Sequence, residues 1–448
     1  MDVLKTTDPK LAEGALFICR RLQACGHQAL LAGGVVRDLL AGKDVSDIDV
    51  ATSAKPSEVE RIFNRTLPVG KSFGVMIVLT HDHRYEVATF RREGEYKDGR
   101  RPVSVEFSGA REDAQRRDFT VNALFYDPIS REVIDFVGGR DDLQRKLLRT
   151  VGNPRERFQE DKLRLLRAVR IACQLDLEID GETWRELKSQ AETIRRVSRE
   201  RIGIEIVKML TGPAPARGLR LMLDSGLLQT LLPEIAALEG VAQPPQFHPE
   251  GDVWKHTLLM FELSPQRSDT LALGILLHDV GKPPTFQIKD RIRFDGHAEV
   301  GAELAGRICR RLRMSRAKVE RVEALVRNHL KFIHVQEMRE STLKRFLRQE
   351  HFDEHLELHR LDCLASHGDL SSYEFCRQKL QEMDQEEIRP KPLIGGKDLI
   401  ALGLQPGPLF SEILSQVEDL QLEGNLRSRR QALAWVRDRY LPAPRPRN

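Results

Sequence analysis

A chain of 448 residues is longer than one hydrophobic core usually organises, so several domains are expected. A net charge of +4 is too small to mark a nucleic-acid binder by itself, and no apolar stretch is long enough to cross a bilayer. The opening MDVLKTTDPK has no apolar run behind a basic start and does not read as a signal peptide, and six scattered cysteines without a CxxC pair read as the reduced thiols of a cytoplasmic protein.

In chain order, Leu11 to Cys25 reads as a helix and HQALLAGG as a short strand ending in glycines. VVRDLLAG follows as a helix closed by Gly42, SDIDVAT as an alternating strand, and PSEVERIFNR as a helix. VMIVLT and YEVATF are strands joined by a turn at His81 to Arg84. Arg91, Arg92, Lys97, Arg100 and Arg101 form a basic cluster in a loop expected over 91 to 107, and Arg116 and Arg117 a second; both suit phosphate contacts. From Pro154 onward the pattern is helical, with RFQEDKLRLLRAVRIACQL and ERIGIEIVKML as amphipathic helices and proline-rich breaks at 212 to 218 and 241 to 251. The fold class is thus multidomain. An α+β head, a small mixed sheet with helices, spans 1–150; an all-α neck spans 151–240, a histidine-bearing body 241–385, and a helical tail 386–448.

Within the head, LAGGVVRDLLAGKDVSDIDVAT carries the chemistry. Gly33 and Gly34, lacking a Cβ, let the backbone approach a triphosphate whose charge the helix amides and Arg37 can bind. Asp47 and Asp49 stand two apart on a predicted strand, so both carboxylates face one side. Such hard oxygen ligands suit Mg²⁺, one ion activating a hydroxyl nucleophile and another clamping a leaving pyrophosphate.

The joint pattern GG-x-x-R-D followed by D-x-D resembles the class II nucleotidyltransferase family, which includes CCA-adding, A-adding and CC-adding enzymes and bacterial poly(A) polymerases. RRDFTVNALFYDP (116 to 128) and DFVGGRDDL (135 to 143) match its next signatures in order. The resemblance implies that Arg117 contacts the nucleotide with Asp118 and Asn122 in support, and Glu86 is the candidate third metal carboxylate. RFQEDKLRLLRAVRIA matches the nucleotide-selecting EDxxR motif and places Asp161, Arg164, Arg167 and Arg170 at three-residue steps on a helix, a slowly spiralling polar ridge. Asp161 can only accept and Arg164 only donate. Together they complement the amino donor and ring-nitrogen acceptor that cytosine and adenine share, and mismatch guanine and uracil. Arg167 and Arg170 are expected to hold the triphosphate or orient that pair, and SRERIGIEIVKML is assigned no chemistry. The resemblance implies that the loop over 91 to 107, shortened in CC-adding members, argues against a CC-only enzyme, without separating CCA-adding from A-adding or poly(A)-adding activity.

The body is similar to the HD phosphohydrolase superfamily. His256, the adjacent His278 and Asp279, and Asp362 match its ligands, and His297 and His329 could complete a two-metal version. Imidazole and carboxylate donors suit a transition metal such as Ni, Mn, Fe or Co. The expected partners are the tRNA 3′ end with CTP and/or ATP, with no membrane, and the tail holds the tRNA body by phosphates and shape. The alternatives are a bacterial poly(A) polymerase, and an HD-type nucleotide phosphohydrolase whose head binds nucleotide.

Overall fold

The computed structural model describes residues 8–441 apart from 46, 71–72, 95–104, 247 and 384–387. Lys97, Arg100, Arg101 and the terminal PAPRPRN therefore lie outside the described residues. The chain divides into two compact units, residues 1–237 with 310–314, and residues 238–309 with 315–448.

The first unit opens with α1 (Pro9–Ala24), β1 (Ala29–Ala32), α2 (Gly34–Leu40), β2 (Val50–Thr52) and α3 (Pro56–Ile62). Then come β3 (Thr66–Gly70), β4 (Val75–Thr80), β5 (His83–Thr89), a small hairpin of β6 (Arg91–Glu93) and β7 (Val105–Phe107), and α4 (Ala110–Gln115). Strands β8 (Leu124–Asp127) and β9 (Glu132–Asp135) complete a seven-stranded sheet in the order β3-β4-β5-β2-β1-β8-β9. Within it only β2 and β5 run parallel, so the sheet is mixed. The predicted turn between VMIVLT and YEVATF is a two-residue hairpin in which His81 and Asp82 both have positive φ, the geometry that matches strand twist.

One expectation is corrected here. SDIDVAT forms a strand only over Val50–Thr52, and Asp47 to Asp49 form the approach to it. The alternation survives, because Ile48 and Val50 are fully buried while Asp47 and Asp49 are exposed, and Asp49 still accepts the Ala32 amide at 3.1 Å. A strand ends where ladder hydrogen bonds end, whereas side-chain alternation needs only an extended backbone.

After β9, the DFVGGRDDL segment locks onto the preceding block. The Asp135 carboxylate accepts the amides of Val137, Gly138, Gly139 and Arg140 at 2.9–3.1 Å, turning the chain into α5 (Gly139–Gln144). A Cβ on Gly139 would lie 2.0 Å from the Thr120 carbonyl oxygen, so only glycine permits this approach. Buried Asp142 then accepts the Thr120 hydroxyl at 2.6 Å and pairs with Arg149 at 2.8 Å.

The helices that follow are α6 (Pro154–Glu160), α7 (Leu163–Leu175), α8 (Gly181–Gln190), α9 (Arg199–Leu210), α10 (Pro215–Asp224), α11 (Leu227–Leu231) and α12 (Pro233–Ala236). α7 buries Leu165, Leu166, Ala168, Val169 and Ala172 completely, and each such leucine is worth about 1.5–3 kcal/mol.

In the second unit, α13 (Val253–Glu262), α14 (Asp269–Leu277), α15 (Lys282–Thr285), α16 (His297–Arg311), α17 (Arg316–Asn328), α18 (Glu340–Leu347), α19 (Phe352–Ala365) and α20 (Ser371–Glu382) build the body. Every residue of α14 from Thr270 to Leu277 is buried, with α13, α17 and α19 around it. Its C-terminal end therefore delivers His278 and Asp279 to the bundle interior. The tail helices α21 (Gly396–Ala401), α22 (Pro408–Leu422) and α23 (Arg429–Tyr440) share a core of Ile394, Leu399, Ile413, Val417, Ala432 and Val436. Among the described residues no helix is long and apolar enough to cross a membrane, and all six cysteines are free.

Gly139→Ala should force the turn away from Thr120. Overpacking of this kind costs about 1–3 kcal/mol. The expected result is a Tm lowered by several degrees, read by calorimetry on the full chain; an unchanged Tm would show that the turn gives way freely.

Candidate active site and metal centre

The register of the parallel pair explains the first cluster. Val50 is paired with Val87, so Asp49 and Glu86, each one residue earlier, are neighbours on one face. Although Asp49 as a residue is exposed, the surrounding cavity walls desolvate its carboxyl and push it up to about 7, with the charges of Glu86 and Asp47 adding to it and Arg117 opposing. Glu86 is also raised, by burial and then by Asp47. Asp49 and Glu86, both raised in part by neighbouring carboxylates, form with Asp47 the oxygen-donor set that a small divalent cation relieves. The site thus fits the metal predicted for it.

Around these acids lies a cavity of about 530 Å³ lined by Gly33, Gly34, Arg37, Asp49, Glu86, Arg117, Asp118, Asn122, Asp161, Arg164, Arg167 and Arg170. Asp47 is the one predicted head residue outside that lining. Gly33 caps α2 with φ 74° and ψ −128°, a conformation open to glycine alone, and a Cβ there would meet Arg117 Nη1 at 2.9 Å. The cavity wall is a chain of charged hydrogen bonds. Arg37 donates to both oxygens of Asp38 at 2.9 and 3.0 Å and to Asn122 Oδ1 at 2.5 Å. Asn122 donates to Asp118 at 3.1 Å, and Asp118 accepts Arg167 through two N–H groups at 2.6 and 2.9 Å. Burial alone would raise the Asp118 carboxyl, but Arg167 and Asn122 outweigh it and hold the group far below the usual range.

Asp113, not singled out in the sequence, anchors both arginines of RRDFT: its carboxylate accepts Arg116 at 2.6 Å and Arg117 at 3.0 Å while itself 1% exposed. Its spacing of three and four residues before them on a helix was a readable signal. Arg117 Nη1 also donates to the Asn122 carbonyl, and its guanidinium lies 4.9 Å over Phe125.

The continuous polar ridge is the second correction. The helix breaks at Asp161, whose backbone is extended (φ −137°, ψ 107°), and α7 restarts at Leu163, whose amide Asp161 caps at 3.0 Å. Asp161 therefore stands outside the regular helix as a capping residue. It pairs with Arg201 at 2.7 Å, while Arg164 donates to Glu160 at 2.5 Å and to the Arg157 and Arg116 carbonyls. Arg170 pairs with Glu205 at 2.6 Å, and Glu205 also lies 3.7 Å from Arg167. Arg201 and Glu205 belong to α9, the helix expected to carry no chemistry, yet they hold three of the four predicted selection residues. Both charges pair outward to α7 and its cap, which one helix's spacing does not show.

The second cluster lies in the body. His256 comes from α13, His278 and Asp279 from the end of α14, His297 opens α16, His329 closes α17, and Asp362 sits on α19. The nitrogen and oxygen donors of His256, His278 and Asp362 lie within 4.8 Å of one another, as do those of Asp279, His297 and His329. A carbonyl oxygen only accepts, so Nδ1 of His278, His297 and His329 must donate to Ile275, Phe294 and Val326, at 2.9, 2.8 and 2.6 Å. Fully buried His256 donates Nδ1–H instead to Glu250 at 2.7 Å.

The rings of His278, His297 and His329 then turn an Nε2 lone pair inward, while His256 Nε2 lies 3.1 Å from Asp362 Oδ1. The Nε2 atoms of His297 and His329 face each other at 3.3 Å, and that of His278 has no hydrogen-bond partner among the described residues. Burial lowers His329 to about 4, keeping it neutral. Burial also opposes protonation of His256, but the hydrogen bonds to Asp362 and Glu250 outweigh it and raise the ring to about 9. Converging lone pairs beside two carboxylates fit a metal centre, since a cation is what such a donor set stabilises. Asp279 spans both groups, with Oδ2 3.2 Å from His278 and Oδ1 3.6 and 3.8 Å from His297 and His329. Lys282, buried and also overlooked, steadies it at 2.7 Å.

The poly A polymerase head domain model matches residues 29–149, a probable RNA and SrmB-binding site of polymerase A matches 176–238, and the HD domain matches 252–361. A CCA-adding enzyme of Bacillus licheniformis is 38% identical over 270 residues, 58% of this chain and 67% of the relative. Those of Bacillus velezensis and Limosilactobacillus reuteri are 45% and 41% identical over 51% and 57% of this chain. The matches span 57% and 64% of those two relatives' lengths. The crystal structure of the Bacillus stearothermophilus CCA-adding enzyme in complex with CTP superposes with a TM-score of 0.73 at 26% identity, covering 97% of this chain and 98% of that one. The chain belongs to the class II tRNA nucleotidyltransferase and poly(A) polymerase family and carries an HD domain. Both domain types use divalent metal.

Glu250→Gln replaces the charged acceptor behind His256 with a neutral one. Loss of such an orienting carboxylate typically costs 10–100-fold in metal affinity. Calorimetric titration with Mn²⁺ or Ni²⁺ should show that loss with an unchanged Tm; equal affinity would reduce Glu250 to a packing role.

Proposed function

We propose that the chain is a template-independent tRNA nucleotidyltransferase that adds C and/or A to the tRNA 3′ end from CTP or ATP with release of pyrophosphate. The observation that carries this reading is the single cavity in which Asp49 and Glu86 share walls with Asp161 and Arg164. It joins a hard-oxygen metal site to a base-reading pair. The CCA-adding names of the relatives and the CTP-bound structure support it.

Asp47, Asp49 and Glu86 would hold Mg²⁺, which when bound activates the 3′-hydroxyl and neutralises the departing pyrophosphate. Gly33, Gly34, Arg37 and Arg117 would position the triphosphate, with Asp118 and Asn122 fixing the arginines. Asp161 has about four lone-pair sites. Leu163 N and two nitrogens of Arg201 take three of them, which leaves one acceptor for the amino group of C or A. Arg167 and Arg170, held by Asp118 and Glu205, would orient that pair. The relevant modules are the head at 1–150, neck at 151–240, HD body at 241–385 and tRNA-binding tail at 386–448, in a cytoplasmic protein.

The geometry of the second centre favours an added hydrolytic role. Asp279 would bridge one ion held by His256, His278 and Asp362 and another held by His297 and His329. The donors suit Ni, Mn, Fe or Co in metal-dependent phosphoester hydrolysis.

The overall test gives the protein tRNAs lacking the whole CCA, lacking only the final A, and complete, each with one NTP at a time. C or A incorporation that stops at CCA supports the proposal; unlimited A addition would make it a poly(A) polymerase. Asp47→Ala and Asp49→Ala should each abolish addition while tRNA still binds in a filter assay. Substantial turnover by either variant with Mg²⁺ present would place the active site elsewhere. Asp161→Ala should weaken discrimination of C and A against U and G by roughly ten- to a hundred-fold, given ~1–3 kcal/mol per bidentate pair. Single-nucleotide incorporation with all four NTPs reads this directly, and an unchanged preference would return Asp161 to a capping role alone.

A further inference from the structure

The neck carries a second concavity that none of these roles uses. It measures about 530 Å³ and is bounded by Arg155 of α6, Lys162 in the helix break, Glu186, Ser189 and Gln190 of α8, and Arg196 just beyond. Three cations share it with one carboxylate. That carboxylate is engaged, since Glu186 accepts the Gln190 amide at 2.7 Å, and the same amide donates to the Arg155 carbonyl at 3.1 Å. Gln190 and Lys162 are each 8% exposed, so the floor is a fixed polar surface.

Arg155 and Arg196 are exposed, and neither guanidinium pairs with another described residue. Several neck arginines pair with acids, as at Arg157, Arg164, Arg167, Arg170, Arg201 and Arg217, whereas Arg195 and Arg199, outside the hollow, do not among the described residues. Two unmatched guanidiniums beside the Lys162 ammonium, which donates to the Gln159 carbonyl at 3.0 Å, leave the hollow positive, and an anion of phosphate size complements it.

Location selects the source of that phosphate. Lys162 directly follows Asp161 and stands two residues before Arg164, and both of those line the nucleotide cavity. The two cavities are thus built on consecutive residues of one helix break, a placement that favours the RNA strand whose 3′ end reaches the nucleotide cavity as the source of the phosphate. We propose that Arg155, Lys162 and Arg196 form a backbone-phosphate site for the tRNA primer strand, separate from the site of the incoming triphosphate. This rests on the nucleotidyltransferase reading and adds a grip independent of sequence, which keeps the 3′ end in place whichever base was added last. Glu186 to Arg196 fall within the region matched by the RNA-binding model, whereas Arg155 and Lys162 precede it.

The test uses the full chain with Arg155→Ala, Arg196→Ala and the double variant, and exposed Arg195→Ala as a control outside the hollow. The double variant should bind tRNA roughly tenfold more weakly, with a log–log salt slope shallower by about 1 for each phosphate no longer neutralised. Its KM for CTP and ATP should stay unchanged, and Arg155→Lys with Arg196→Lys should restore most of the affinity. Unchanged tRNA affinity and salt slope in the double variant would overturn the proposal. A raised KM for CTP or ATP with normal tRNA binding would also overturn it, by assigning the hollow to the free nucleotide. The binding arms need no turnover, so failure of the wild type to extend tRNA would count against the activity and leave this site decided by affinity alone.

Discussion

Arg167 is the residue on which the cavity of the first unit closes. Its guanidinium is gripped twice by Asp118, from the block that follows the small hairpin, and faces Glu205 on α9. Head and neck segments distant in the chain thus meet through one pair of charges. Stranding Asp118 as a buried anion would cost about 3–5 kcal/mol, so the cavity and the stability of this unit depend on the same contact. Asn122 and Arg37 are set by the same run of hydrogen bonds, which begins at Asp118.

Features written in short stretches were the legible ones. The glycine pair, the alternation around Ile48 and the histidine-aspartate step all depend on neighbours within a few residues. The mixed sheet and the helical remainder followed from periodicity. Glu86 became recognisable only as a candidate, because its partnership with Asp49 depends on a parallel register between strands far apart in the chain. The helix break at Asp161 was hidden for another reason. Apolar residues recur across it at Phe158, Leu163 and Leu166, and all three are buried, so the hydrophobic pattern runs on where the backbone does not.

Arg201 and Glu205 illustrate a different limit. An arginine and a glutamate four apart read as a self-contained surface pair. Here each is drawn to a partner on another helix, because the packing of α7 against α9 brings stronger partners within reach. Asp113 and Glu250 are similar: each is an acid whose importance lies in what it holds still. Sequence patterns name the residues that carry chemistry more readily than those that aim them.

The four imidazoles of the body's donor cluster, His256, His278, His297 and His329, are aimed by two kinds of anchor. Three depend on main-chain carbonyls three residues upstream, and every amino acid supplies such a carbonyl. Their tautomers are properties of the helix ends, and they persist through any drift in nearby side chains that leaves the backbone in place. His256 alone takes its orientation from a side chain. Over evolutionary time the centre therefore has three settings fixed by the fold and one that a single codon can alter, so divergence in metal preference has an obvious place to begin.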